Sequence, residues 1–183
     1  MVANNGYAGD LGAATPAELV ERARSLYLAH CYDEALEVAE RLLSFAARGY
    51  SVRALCLAEI GRPEEGLRAA EAGVASDPAD AVVLTSRAFC RHRLGDNAGA
   101  EEDYTRALAL APDNYKIPYN YACYWAERND FAKCREYLGR AVDLMTPGVR
   151  LTMLEDPDLA RFQGEEWFRE LALRARARVR GGA

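Results

Sequence analysis

Residues 81–112 read AVVLTSRAFCRHRLGDNAGAEEDYTRALALAP, and this stretch decides the fold. On both sides of Gly95, apolar and small residues recur three and four positions apart, which is the period of an amphipathic helix. Pro112 ends the second segment, because proline cannot continue a helix. The stretch therefore predicts two helices joined by a tight turn at Gly95.

The same arrangement recurs along the chain at fixed intervals. Spacings of 31, 34 and 34 residues separate small residues in the first segments, which are Ala23, Ala54, Ala88 and Ala122. The same intervals separate the residues at the predicted turns, which are His30, Gly61, Gly95 and Asn129. Gly, Asn and His are the residue types that best tolerate the positive φ that a helix C-terminus commonly requires. The repetition predicts four helical hairpins stacked in series.

This unit resembles the tetratricopeptide repeat (TPR), which has about 34 residues, a small residue in its first helix, a glycine turn and a closing proline. Residues 32–43 (YDEALEVAERLL) and 131–144 (FAKCREYLGRAVDL) look like second helices of that family. The resemblance implies an all-α fold, an α-solenoid of four TPR helix–turn–helix repeats within residues 15–148. The four repeats are expected at residues 16–46, 47–80, 81–114 and 115–148.

The flanking segments carry their own expectations. Residues 1–14 are rich in Gly, Ala and Asn and are expected to be disordered. Residues 149–183 are expected to form C-terminal capping helices and a basic tail, because the last repeat of a solenoid exposes an apolar face that needs a cover. The apolar residues available for this cover are Trp167, Phe168 and Leu171.

Composition limits the classes of partner and the compartment. The net charge of −5 argues against nucleic acid as the main partner, because neutralising phosphates requires a basic surface. Five cysteines without a Cys-x-x-Cys pair argue against a disulfide framework or a zinc site and favour a reducing compartment. No secretory signal and no apolar run long enough for a membrane span appear in the sequence. The sequence predicts a cytoplasmic protein without a membrane span.

No group of residues has the composition and spacing of a catalytic, cofactor or metal site. His30 and His92, which are the two histidines, lie in different repeats, and no Gly-rich loop follows a strand. The sequence therefore predicts no catalytic, cofactor or metal site, and the protein is not expected to be an enzyme. Arginines recur one position before the small alanine of three repeats and are expected to reach carboxylates of neighbouring helices; they are Arg22, Arg53 and Arg87. The pattern assigns no role to Arg91 or to the arginine-rich C-terminal tail.

The TPR resemblance implies a concave groove, lined by the first helix of each repeat, that binds an extended or helical segment of a partner. Mapping by repeat position places these residues in the groove: Arg24, Tyr27, Arg48, Ser51, Leu55, Val82, Thr85, Phe89, His92, Arg93, Lys116 and Tyr119. The positions at which co-chaperones of this family clamp a C-terminal carboxylate hold Val20, Arg24, Val52, Val82 and Ser86. Only one of these is basic, so a co-chaperone of that type is not expected.

The expected function is a non-enzymatic protein–protein interaction module, either an adaptor or a chaperone-like factor. Basic and aromatic residues in the groove favour a partner segment that combines acidic and apolar residues. The alternative is a structural scaffold that self-associates into a homo-oligomer.

Overall fold

A computed structural model of the protein describes residues 14–42, 47–146 and 157–180. Eight helices form four consecutive hairpins: α1 (Pro16–Leu28) with α2 (Tyr32–Leu42), α3 (Ala47–Glu59) with α4 (Pro63–Ser76), α5 (Ala81–Arg93) with α6 (Asn97–Leu110), and α7 (Lys116–Glu127) with α8 (Phe131–Leu144). A short 3₁₀ helix (Pro157–Phe162) and α9 (Glu166–Arg180) follow. The described residues contain no strand, so the all-α prediction is confirmed. The predicted disorder of residues 1–14 falls, apart from Ala14, outside the described residues.

The turn within each hairpin has the same backbone conformation. In the described part of the chain, positive φ values occur at the four predicted positions, with 58° at His30, 82° at Gly61, 83° at Gly95 and 60° at Asn129. The N–H of the following residue donates to the carbonyl oxygen five residues earlier at 2.8–3.0 Å in all four turns, at Cys31, Arg62, Asp96 and Asp130. This hydrogen bond closes the end of the first helix. The prediction that these residues adopt a left-handed conformation is confirmed.

Several helices begin with a side-chain cap. The Thr15 hydroxyl accepts from the Glu18 N–H at 3.4 Å, and the Glu18 carboxylate accepts from the Thr15 N–H at 2.8 Å, which makes a reciprocal capping box at α1. Thr15 followed by Pro16 is typical of a helix start, with a capping hydroxyl before a proline in the first turn. Aspartate side chains cap α5, α6 and α8 by accepting from backbone N–H groups of the first turn, at Asp80, Asp96 and Asp130.

The hairpins are arranged with their first helices together on one side. Consecutive odd-numbered helices pack on one another, α1 on α3, α3 on α5 and α5 on α7. Among the described residues, no comparable packing joins consecutive even-numbered helices. This difference makes the array curve, with the odd-numbered helices on the inner side, as an α-solenoid does.

The most extensive contact between hairpins joins the second and the third. Small residues permit it: a Cβ atom on Gly66 would lie 2.7 Å from the carbonyl oxygen of Ala54 and 3.0 Å from Cys90 Sγ. Rings separate the third and fourth hairpins instead, with the centroids of Tyr104 and Tyr121 stacked 4.6 Å apart. The side chains at each interface therefore determine how closely the backbones of neighbouring repeats approach.

A buried ionic cluster joins α5 to α6 and gives Arg91 a role. Asp103 on α6 is 1% exposed. The Arg87 guanidinium donates to both carboxylate oxygens of Asp103, at 2.6 and 2.8 Å. Arg91 Nη1 donates to Asp103 Oδ2 at 2.8 Å and to the Gly99 carbonyl at 3.1 Å. Arg53 pairs with Glu40 at 3.0 Å. Arg53 and Arg87 therefore reach carboxylates of neighbouring helices as predicted.

The C-terminal helices lie against the fourth hairpin. Phe168, Leu171 and Ala175 of α9 are buried in the core that α7 and α8 supply, together with Leu159 and Phe162 of the 3₁₀ helix. Arg161 donates a short hydrogen bond to the Ala126 carbonyl near the end of α7, and its guanidinium lies over the Phe131 and Phe162 rings. A cation at this position complements the negative end of the α7 dipole. Trp167 is half-buried.

Candidate partner-binding face

The residues predicted to line the groove all lie on α1, α3, α5 and α7, but their accessibility differs. Three arginines are exposed, at positions 24, 48 and 93. Seven further side chains are half-buried, namely Tyr27, Leu55, Val82, Phe89, His92, Lys116 and Tyr119. Together these ten residues form the surface called the inner face below.

Two predicted groove residues do not belong to this surface. Ser51 is 3% exposed and Thr85 is 5% exposed. The Ser51 and Ser86 hydroxyl oxygens lie 2.5 Å apart in the contact between α3 and α5, and the Thr85 hydroxyl donates to the Ala81 carbonyl at 2.8 Å. The expectation that Ser51 and Thr85 line an open groove is wrong, because both side chains are buried and α5 packs over Ser51.

One edge of the inner face is a chain of paired groups. The Tyr27 hydroxyl donates to the Glu59 carboxylate at 3.1 Å, and Arg93 Nη2 donates to the same carboxylate at 3.3 Å. The Arg93 guanidinium also lies 4.9 Å from the centroid of the Phe89 ring. Burial, and secondly the Glu59 charge, raise the pKa of the Tyr27 phenol well above its usual value. These contacts link α1, α3 and α5 through side chains.

The chain of pairs continues to the fourth repeat through His92. Its Nε2 lies 2.9 Å from a Glu127 carboxylate oxygen, and its Nδ1 lies 3.1 Å from Asn97 Oδ1. The His92 ring also meets the Tyr124 ring edge-on, with centroids 4.8 Å apart. The hydrogen bond from His92 lowers the pKa of Glu127 despite partial burial. His92 thus holds α5 to α7 and is engaged with protein groups on both ring nitrogens.

The other end of the inner face carries positive charge from three repeats. Burial lowers the pKa of Lys116, and the charges of Arg24 and Arg48 lower it further, while Glu21 acts in the opposite direction. Arg24 pairs with Glu21 at 3.4 Å. Among the described residues, neither Arg48 nor Lys116 takes part in an ion pair. The cationic end, as it is called below, consists of Arg24, Arg48 and Lys116.

The sequence reasoning missed two acidic residues of this region, Glu21 and Glu59. Glu21 pairs with Arg24 and Glu59 pairs with Arg93, so among the described residues of the inner face the basic groups without an ion pair are Arg48 and Lys116. A signal for one of them existed: Glu59, Arg93 and Glu127 follow one another at intervals of 34 residues with alternating charge. Residues one repeat apart on adjacent first helices are neighbours, so this alternation predicts pairing across the repeats.

Two further features are absent from the described part of the chain. It contains no group of three or more His, Cys, Asp or Glu side chains placed to hold a metal ion. None of its helices combines the length and the apolar character needed to cross a membrane.

Comparison with known proteins gives structural relatives only. No protein-family model matches the chain, and no curated protein matches it. The crystal structure of TTC0263, a thermophilic TPR protein of Thermus thermophilus, matches with a TM-score of 0.64 and 18% identity over 92% of each chain. MamA from Desulfovibrio magneticus RS-1 matches with a TM-score of 0.50 and 20% identity over 71% of this chain and 75% of that one. A further MamA structure matches with a TM-score of 0.50 and 12% identity over 71% and 78%.

At these identities the likeness establishes the fold and nothing further. The described hairpins, with their common turn and their inner row of first helices, have the arrangement of a TPR solenoid. The chain therefore has the TPR fold, and the fold implied by the sequence resemblance is confirmed.

Proposed function

We propose that this protein is an interaction module whose inner face binds a protein segment that carries both acidic and apolar residues. One observation carries the proposal: within the described part of the chain, Arg48 and Lys116 have no acidic partner, whereas Arg24, Arg93 and His92 all have one. The lowered pKa of Lys116 arises from burial and then from the positive charges beside it. A carboxylate from a partner would offset this local excess of positive charge.

The remainder of the inner face supplies contact area. Leu55, Val82, Phe89 and Tyr119 are half-buried, so part of each side chain is accessible to a ligand. Aromatic and apolar side chains provide most of the affinity at protein interfaces, while charged groups at the rim steer association. An acidic segment that also presents bulky apolar residues matches this distribution better than a uniformly acidic one.

Charge reversal at the cationic end tests the proposal. Binding of fluorescein-labelled synthetic peptides would be measured by fluorescence anisotropy, with acidic–apolar, acidic–polar and basic–apolar sequences of equal length. The wild type should prefer the acidic–apolar set, and Arg48→Glu with Lys116→Glu should weaken that binding at least about tenfold, or ~1.4 kcal/mol. The loss should shrink at high salt, because exposed charges are screened.

A matched control separates the site from net charge. Arg68→Glu with Arg140→Glu lowers the net charge by the same amount on exposed positions of α4 and α8. This control should bind the acidic–apolar peptides as the wild type does. Equal losses in both double variants, or no preference among the three peptide sets, would place the binding surface elsewhere.

A further inference from the structure

The two ends of the array carry the most exposed large apolar side chains of the described residues. Leu28, at the end of α1, is 65% exposed, and Leu173, on α9, is 66% exposed, whereas the next most exposed is Phe131 at 46%. Leu28 lies opposite the buried face of α1, which contains Leu19, Ala23 and Leu26. A leucine in such a position contributes little to folding, since it buries little area within the chain.

The end of the array around Leu28 is acidic. Residues 16–42 hold six acidic residues against three arginines, a net charge of −3. Asp33, Glu34 and Glu37 lie on the exposed side of α2, and among the described residues none of them forms an ion pair. The Glu40 carboxylate, by contrast, pairs with Arg53 of the next hairpin.

The C-terminal end of the array is basic. Helix α9 holds five arginines against two glutamates, a net charge of +3. Its inner side is occupied by Phe168, Leu171 and Ala175, so Leu173 faces outward together with Arg169 and Arg176. Arg174 is engaged by Asp143 at 3.7 Å and by the Gly139 carbonyl at 3.3 Å, whereas Arg176 forms no ion pair among the described residues.

We infer that the two ends bind each other between copies, with Leu28 and the acidic side of α2 of one chain against Leu173 and the arginines of α9 of the next. Opposite charges around an exposed leucine at each end match the pattern of an interface with an apolar centre and a polar rim. The two surfaces differ, so the contact is heterologous and leaves one free surface of each kind. Copies therefore join head to tail into open chains whose length grows with protein concentration.

The inference can be tested with two complementary variants. The first, Leu173→Glu with Arg176→Glu, removes the basic end, and the second, Glu34→Lys with Glu37→Lys, removes the acidic end. All four residues are exposed, so neither variant should lower the melting temperature by more than about 2 °C. Light scattering with size-exclusion chromatography would measure mass across protein concentration, at about 0.01 M and about 1 M salt.

The expected masses are specific to a head-to-tail contact. The wild type should form a concentration-dependent series at low salt and be monomeric at high salt. Each variant alone should be monomeric, and an equimolar mixture should associate, because the intact acidic end of the first variant can bind the intact basic end of the second. Arg48→Glu with Lys116→Glu should assemble as the wild type does, which separates this inference from peptide binding on the inner face. A monomeric wild type at low salt, or variants that assemble on their own, would overturn it.

Discussion

Replacing Asp103 by Asn should destabilise the protein, because it removes a buried negative charge and one of the two oxygens that accept from arginine. The carboxylate is 1% exposed and accepts three hydrogen bonds from two guanidinium groups, at 2.6, 2.8 and 2.8 Å. Asn has the same shape and retains one acceptor oxygen. The substitution leaves Arg87 and Arg91 side by side in a site whose negative charge has been removed.

The size of the effect follows from the burial of the three groups. Breaking a buried ion pair by removing one partner typically costs about 3–5 kcal/mol. The Arg87 and Arg91 side chains retain 15% and 21% exposure, so water relieves part of their repulsion. We therefore expect the lower end, about 3 kcal/mol, which corresponds to about 6–12 °C in melting temperature for a chain of this size.

Urea unfolding monitored by circular dichroism would measure this free energy, with Glu102→Gln as the control. Glu102 is the preceding residue on α6, is exposed, and loses the same charge on substitution. It should change the free energy of unfolding by less than about 0.5 kcal/mol. If Asp103→Asn costs no more than Glu102→Gln, the cluster contributes nothing to stability and the reasoning fails.

Three further predictions concern the core. Gly66→Ala should lower the free energy of unfolding by about 1–3 kcal/mol, because the new Cβ would meet the Ala54 carbonyl. Gly139→Ala should raise it by up to about 1 kcal/mol, because the nearest atom to the new Cβ is 3.4 Å away on a flexible side chain. Equal effects of the two substitutions in urea unfolding would refute this. Phe168→Ala should cost about 3–5 kcal/mol and Leu173→Ala close to nothing, and the reverse order would show that α9 is not packed on α8. Thiol titration at pH 8 should find two thiols that react fast and three that react slowly, because burial raises the pKa of the slow thiols to about 11 or about 12. Five fast-reacting thiols would contradict this. The fast thiols are Cys31 and Cys123, and the slow ones are Cys56, Cys90 and Cys134.

Local features of the fold could be predicted from the sequence because they depend on residues close together in the chain. The left-handed turns at His30 and Asn129 followed from their alignment with two glycines, and the capping box of α1 likewise joins residues only three positions apart, Thr15 and Glu18. Each of these depends on one helix end. The regular spacing of such ends was then sufficient to predict the fold.

The candidate site was harder to predict because it depends on how closely neighbouring helices approach. Helical periodicity places Ser51 on the same side as the predicted groove, but it does not reveal that α5 covers that side. The Ser51–Ser86 contact arises from two small residues 35 positions apart, which only the packing of whole hairpins brings together. The same reason explains why Glu59 was missed as the partner of Tyr27 and Arg93.

The close contact between the second and third hairpins has a consequence for synthesis of the chain. Helix α3 begins at residue 47 and α5 at residue 81, so 34 residues separate them. At a translation rate of about 5–20 residues per second, α3 leaves the ribosome roughly 2–7 s before the helix that covers Ser51 and Ala54. During that interval the nascent chain exposes the side of α3, with Ser51 and Ala54, that α5 covers in the folded protein.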